Sequence, residues 1–101
     1  NQGIGLTPDD FRLAPTYPNP FNAQVTIPWQ IPDEKSVTLT VYNIQGQIVR
    51  RLMTGRYMAP GYYDTEWRGR DDYGAPIASG LYIVILRAGK FTGRQKCLLL
   101  K

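Results

Sequence analysis

The sequence predicts an all-β fold, a two-layer antiparallel sandwich of about seven strands. Three observations carry this expectation. Short runs of alternating apolar and polar residues, the period of a half-buried strand, recur along the chain. Clusters of glycine, proline, asparagine and aspartate interrupt them roughly every ten residues, the spacing of turns in a sandwich. No stretch sustains the apolar spacing of an amphipathic helix.

Residues 1–10 contain Gly3, Gly5, Pro8, Asp9 and Asp10 without any period, and read as a linker from an upstream domain. The sandwich itself is assigned to residues 11–101, opening with a short strand around Phe11 to Leu13. The next segment is Tyr17-Pro18-Asn19-Pro20-Phe21-Asn22. Its two prolines remove two backbone donors and bias their predecessors towards extended geometry. A rigid, irregular segment is expected, with Tyr17 and Phe21 anchored in the core; a proline-rich ligand for a partner is the competing reading.

From Gln24 to Ile31, Val25, Ile27, Trp29 and Ile31 share one face of a strand. Pro28, on the opposite parity, puts this strand near a sheet edge or a bulge. Pro32-Asp33-Glu34-Lys35 is a turn. Ser36 to Tyr42 alternates again, with Val37, Leu39 and Val41 inward and the threonines outward. Asn43-Ile44-Gln45-Gly46 turns the chain into a strand from Gln47 to Met53, where Ile48, Val49 and Leu52 supply apolar contacts. Gly55 to Gly61 reads as a loop. Tyr62 to Trp67 is a further strand with Tyr63, Thr65 and Trp67 on one side. Arg68-Gly69-Arg70-Asp71-Asp72-Tyr73-Gly74 is a polar, glycine-bounded loop.

The stretch from Ser79 to Lys101 closes the fold. Two β-rich runs flank a turn at Ala88-Gly89-Lys90, a hairpin signature. Leu81 to Leu86 is apolar at every position, so this strand is expected to be covered on both faces. Cys97, Leu98, Leu99 and Leu100 mark the last run as a docked strand rather than a fraying tail. The strand count and spacing give an immunoglobulin-like sandwich, and with one cysteine packing alone must join its two sheets.

Composition narrows the function. The chain has 101 residues, 43% of them hydrophobic, which suits one domain with a packed core. No apolar run approaches the ~20 residues that cross a bilayer, so membrane insertion is not expected. The start lacks a basic-then-apolar signal, so an export signal, if there is one, is expected upstream on a longer parent. The net charge is +4. Its cations (Arg50, Arg51, Arg68, Arg70, Lys90, Arg94, Lys96, Lys101) are scattered, which argues for a solvated basic surface rather than a nucleic-acid interface.

Histidine is absent, which removes the commonest general base and a common metal ligand. Cys97 among leucines reads as a small buried hydrophobe. Ser79 has no base partner, and no glycine loop is placed to cradle phosphate. Asp71 and Asp72 could contribute to a calcium site, but such a site needs six to eight oxygens, and Arg68 and Arg70 stand beside them. A turn in which Asp71 caps backbone amides is the simpler account. The sequence therefore predicts neither an enzyme nor a metal or cofactor site. Trp29 and Trp67 fall on inward parity, while Tyr57, Tyr62 and Tyr73 are expected to be exposed. A carbohydrate-binding or structural accessory module of a secreted enzyme is the alternative these tyrosines support.

An ordered set of motifs runs through the chain: Leu13-x-x-x-Tyr17-Pro18-Asn19-Pro20-Phe21-Asn22 with Val25-x-Ile27, then Val41-Tyr42-Asn43-Ile44-Gln45-Gly46-Gln47-Ile48-Val49. Trp67-x-Gly69-x-Asp71-x-x-Gly74, Ala78-Ser79-Gly80-Leu81-Tyr82, Ala88-Gly89-Lys90-Phe91 and Lys96-x-Leu98-Leu99-Leu100-Lys101 follow. The set resembles the type A C-terminal sorting domain of the type IX secretion system of Bacteroidetes, itself similar to the Ig-like domain of the flagellar hook-capping protein. Arg68 departs from the aspartate usual after the tryptophan, and Cys97 from the usual methionine or other apolar residue. The resemblance implies an address label on a parent protein, passing through the periplasm to the cell surface or beyond. Its expected partners are the outer-membrane translocon, a sortase-like protease that cuts within or just before residues 1–10, and a cargo domain upstream; the label is expected to be a monomer. Candidate recognition residues are Asn19, Pro20, Gly80, Tyr82, Gly89, Lys96 and Lys101. Each also has a structural reading: turns for the glycines, core for Tyr82, solubility of an edge for the lysines.

Overall fold

The structure is a computed structural model and describes residues 7–101. Those residues form seven strands: β1 (Arg12–Leu13), β2 (Val25–Ile31), β3 (Lys35–Tyr42), β4 (Ile48–Met58), β5 (Gly61–Trp67), β6 (Gly80–Ala88) and β7 (Phe91–Leu99). They make a three-stranded sheet, β1-β2-β5, and a four-stranded sheet, β4-β3-β6-β7, with every strand pair antiparallel. This is an all-β, immunoglobulin-like sandwich. Of the linker assigned to residues 1–10, the first six lie outside the described residues. Pro8 is buried, and the Gln30 side-chain amide donates to the Asp10 carbonyl at 3.1 Å.

The core follows the alternation in the sequence. Val25, Ile27, Trp29 and Ile31 of β2 face Val37, Leu39 and Val41 of β3 and Tyr82, Val84 and Leu86 of β6, all buried between the sheets. Trp67 caps one end, tilted against Phe21 with ring centroids 5.6 Å apart and edge-on to Tyr82 at 5.6 Å. Trp29 stacks on Tyr63 at 4.4 Å and donates its indole N–H to Thr65 Oγ1 at 2.9 Å, so its one polar atom is satisfied. Phe11 stacks on Phe91 at 5.4 Å and ties the start of the domain to β7.

Several expectations are corrected. β4 does not stop at Met53: it runs on through Gly55 to Met58, and the predicted Gly55–Gly61 loop shrinks to the turn at Ala59-Pro60. Register shifts along the β3–β4 pair absorb the irregularity. Gly55 adopts a φ of +55° and donates its N–H to Thr38 Oγ1 at 3.0 Å, a conformation open to glycine without strain. Pro28 does not lie on an edge strand, since β2 is the middle of its sheet. The Ala14 N–H donates to the Pro28 carbonyl at 2.9 Å, so this residue faces β1, where pairing covers two residues; the β2–β5 ladder loses no donor.

Tyr17 is not a core anchor but 53% exposed, and Ile48 is 44% exposed; Phe21 alone of the predicted pair is buried. Thr40 is buried rather than outward and solvated, because Ile85 and Arg51 flank it on neighbouring strands. Leu99 is 1% exposed and Leu100 50%, so one of the last leucines docks and the last points away. Finally, β6 is covered on one face only. Tyr82, Val84 and Leu86 are buried, whereas Leu81 is exposed and Ile83 and Ile85 are half-buried, because among the described residues no third layer lies over the larger sheet.

Candidate functional site

An edge strand presents unpaired backbone groups to any passing chain. Here β7 is such an edge, and the segment Thr16–Asn22 closes its last part. Its irregular path includes two cis peptides, Tyr17-Pro18 and Asn19-Pro20, and brings polar groups alongside β7 where a further strand would otherwise pair. The Phe21 N–H donates to the Leu98 carbonyl at 2.8 Å, and the Leu100 N–H donates to the Phe21 carbonyl at 2.9 Å. The Asn19 side chain works in both directions, donating to the Lys96 carbonyl at 3.2 Å and accepting from the Leu98 N–H at 2.9 Å. Thr16 Oγ1 donates to the same Lys96 carbonyl at 3.3 Å, and the Asn22 amide donates to the Leu100 carbonyl at 3.0 Å. These bonds join residues about 80 positions apart (77 for Asn19, 80 for Thr16). The segment acts as a clasp on β7, held from beneath by the buried Phe21 ring.

The clasp sorts the predicted site residues. Asn19 and Lys96 meet directly; Pro20, beside them, is exposed. Gly80 opens β6 opposite Leu99. Tyr82 is 8% exposed, donates its hydroxyl to the Ala78 carbonyl at 2.7 Å and packs on Trp67, so it is a core residue. Burial, and then the neighbouring Cys97, raise its pKa. Gly89 sits in the two-residue β6–β7 turn with a φ of +59°, far from the clasp. Lys96 points to solvent from the outer face of β7. Lys101 is exposed, and its N–H donates to Ser79 Oγ at 2.9 Å. Asn19, Pro20, Lys96 and Lys101 thus gather at the clasped end, while Gly89 does not.

Sequence reasoning missed the residues beside this group. Ile83, Arg94 and Gln95 line an open hollow with Asn19 and Lys96. Their signal was strand parity: Arg94 and Lys96 alternate with the buried side of β7, and Ile83 with the buried side of β6. Cys97 lies fully buried below them, and burial pushes its thiol pKa up to about 11. The exposed tyrosines share no stacking platform. Tyr57 and Tyr62 occupy the outer faces of opposite sheets, and Tyr73 lies in the loop before β6.

The profile of the FlgD Ig-like domain matches residues 19–90. The chain belongs to the FlgD Ig-like domain family. The matched span of this FlgD-type domain begins inside the clasp, at Asn19, and ends in the β6–β7 turn, so β7 lies beyond it. No curated protein matches the chain. Two solved structures from Porphyromonas gingivalis resemble it in fold. One is PorZ, described as an essential bacterial surface component of the type-IX secretion system, with 18% identity and a TM-score of 0.60 over 88% of this chain and 11% of that one. The other is dimeric latent PorU, with 18% identity and a TM-score of 0.65 over 95% of this chain and 10% of that one. The chain thus spans about a tenth of the length of either protein.

The turns of this FlgD-type domain are fixed by side chains. Asp71 Oδ1 accepts the N–H groups of Tyr73 and Ala75, each at 2.9 Å, as its predicted capping role requires. Asp72 accepts the Arg51 N–H at 2.7 Å and pairs with the Arg51 guanidinium at 2.6 Å, covering part of the β4 edge. That backbone hydrogen bond is the main influence holding the Asp72 pKa below its ordinary value.

Proposed function

We propose that this domain is a non-catalytic sorting label, which directs a parent protein through the outer membrane by the type IX secretion system. The observation that carries the reading is the clasp. Hydrogen bonds from Thr16, Asn19, Phe21 and Asn22 hold the final strand, so the folded surface forms only once β7 has been synthesised. A label built this way presents its surface only when β7 has paired with β6 and the clasp has closed on it. The fold likeness to PorZ, a named component of that system, supports the same reading.

In this account residues 1–10 connect the label to an upstream cargo domain, and a sortase-like protease cuts within or just before them. The label acts first in the periplasm and then at the cell surface or outside. Pro20, Lys96 and Lys101 present side chains to the translocon, while Asn19, Gly80, Tyr82 and Gly89 keep the presenting surface in shape. Addition of a strand along the last part of β7 is blocked by the clasp, so side-chain docking carries recognition.

The test is a fusion of residues 1–101 behind a periplasmic reporter in a host with a working type IX system. The reporter is expected at the cell surface or in the medium. A reporter that stays in the periplasm refutes the proposal.

A further inference from the structure

The outer face of the larger sheet is apolar along its middle and cationic beside it. Ile83 stands opposite Lys96 on one side and Tyr42 on the other; Ile85 stands opposite Arg94 and Thr40. Directly opposed side chains in antiparallel strands lie about 4.5–5.5 Å apart at Cβ, so these isoleucines are flanked by longer basic side chains. Two hollows share Ile83 and Arg94. One, of about 400 Å³, reaches Asn19 and Lys96; the other, of about 310 Å³, reaches Tyr42, Ile85 and Arg87.

The charge on this face is one-sided. β3, β6 and β7 contain no aspartate or glutamate. Among the described residues the one ion pair is Arg51–Asp72, so Arg87, Arg94 and Lys96 have no carboxylate partner. The acids Asp64 and Glu66 lie on β5, facing outward from the other sheet. An apolar centre rimmed by unpaired cations is complementary to a protein surface with apolar side chains among carboxylates.

From this we infer that the outer face of β3, β6 and β7, centred on Ile83 and Arg94, is the surface a protein partner docks on, and that this partner is acidic with apolar side chains to fill the two hollows. The inference rests on the sorting reading: the partner is the part of the export machinery that reads the label. A protein fits better than a lipid surface. The isoleucines are half-buried beneath longer basic side chains, which suits inserted side chains rather than a flat bilayer.

The reporter fusion tests this with substitutions on the face: Arg94→Glu with Lys96→Glu, Ile83→Thr alone, and Asp64→Lys with Glu66→Lys on the opposite sheet as control. Thermal melts confirm that each variant is folded. The expected result is at least a tenfold fall in exported reporter for the first two, with the control unchanged. Export of both face variants at the unsubstituted level overturns the inference and leaves the sorting reading standing. Retention of the unsubstituted fusion overturns both. Binding of the isolated fusion to phosphatidylglycerol vesicles that Arg94→Glu with Lys96→Glu abolishes, or self-association lost in that variant, assigns the face to a membrane or a second copy and also overturns it.

Discussion

Leu99 is the residue on which the docking of β7 turns, and replacing it with alanine gives a calculable result. Its side chain is 1% exposed and lies against Phe21 and the Gly69 backbone at the clasped end of the core. The substitution removes three carbons; at about 0.8 kcal/mol per buried methylene the lost transfer energy is roughly 2.4 kcal/mol. A cavity term adds to this, because Trp67 and Phe21 pack across the core and cannot collapse fully into the space, so the total falls at about 3–4 kcal/mol. For a domain near 100 residues each kcal/mol shifts the midpoint by roughly 4–8 °C, which puts the drop at about 12–32 °C. Thermal unfolding followed by circular dichroism reads it directly. Leu100→Ala, one residue on and 50% exposed, should change stability by less than about 0.5 kcal/mol. Equal midpoints for Leu99→Ala and the unsubstituted protein would refute the claim that this strand completes the core.

Other predictions follow from single contacts. Gly93→Ala places a Cβ 2.9 Å from Leu13 Cβ and 3.0 Å from the Phe91 ring, so either β1 or the Phe11–Phe91 stack must move; a loss of about 1–3 kcal/mol in urea unfolding is expected. Asn19→Ala removes both hydrogen bonds to β7 and should lower stability by about 1 kcal/mol, with faster hydrogen exchange at the Leu98 amide. Asp72 has a lowered pKa, so its contribution is present above the ordinary value of 3.8 and is lost as pH falls through the folded value; Asp72→Asn should flatten that acid limb of the stability profile. The Cys97 thiol ionises near 9.0 when unfolded and at about 11 when folded, so stability should decline as pH rises between those values. Cys97→Ala should lessen that decline, leaving the part that the raised Tyr82 hydroxyl contributes.

Much of this architecture was legible because burial in a strand follows a period of two. Val25, Ile27, Trp29 and Ile31 could be assigned to the core from spacing alone, as could the capping role of Asp71 from its place in a glycine-bounded loop. What the residues of one strand cannot say is whether one or both of its faces are covered. The unbroken apolar run of β6 looked covered on both faces, yet a two-layer sandwich covers one, and Ile83 and Ile85 were left half-exposed. β4 misled in the opposite way. Gly55 looks like a loop residue, as Pro60 is, but a positive φ at Gly55 and a bond to Thr38 let the strand continue to Met58. The clasp was half legible. Phe21 announced itself as an anchor, whereas the bonds of Asn19 to Lys96 and Leu98 span nearly the whole domain and leave no local signature. Candidate residues chosen from motifs therefore mixed core with surface, Tyr82 being buried and Lys96 exposed.

The central claim is that β7, clasped by Thr16–Asn22, completes a surface that the export machinery reads. Removing Leu99, Leu100 and Lys101 from the reporter fusion tests it most directly, with the exported fraction measured beside that of the full domain. The account predicts that the full domain carries the reporter out of the periplasm and the shortened one leaves it there, unfolded at the clasped end. Equal export of the two would contradict it.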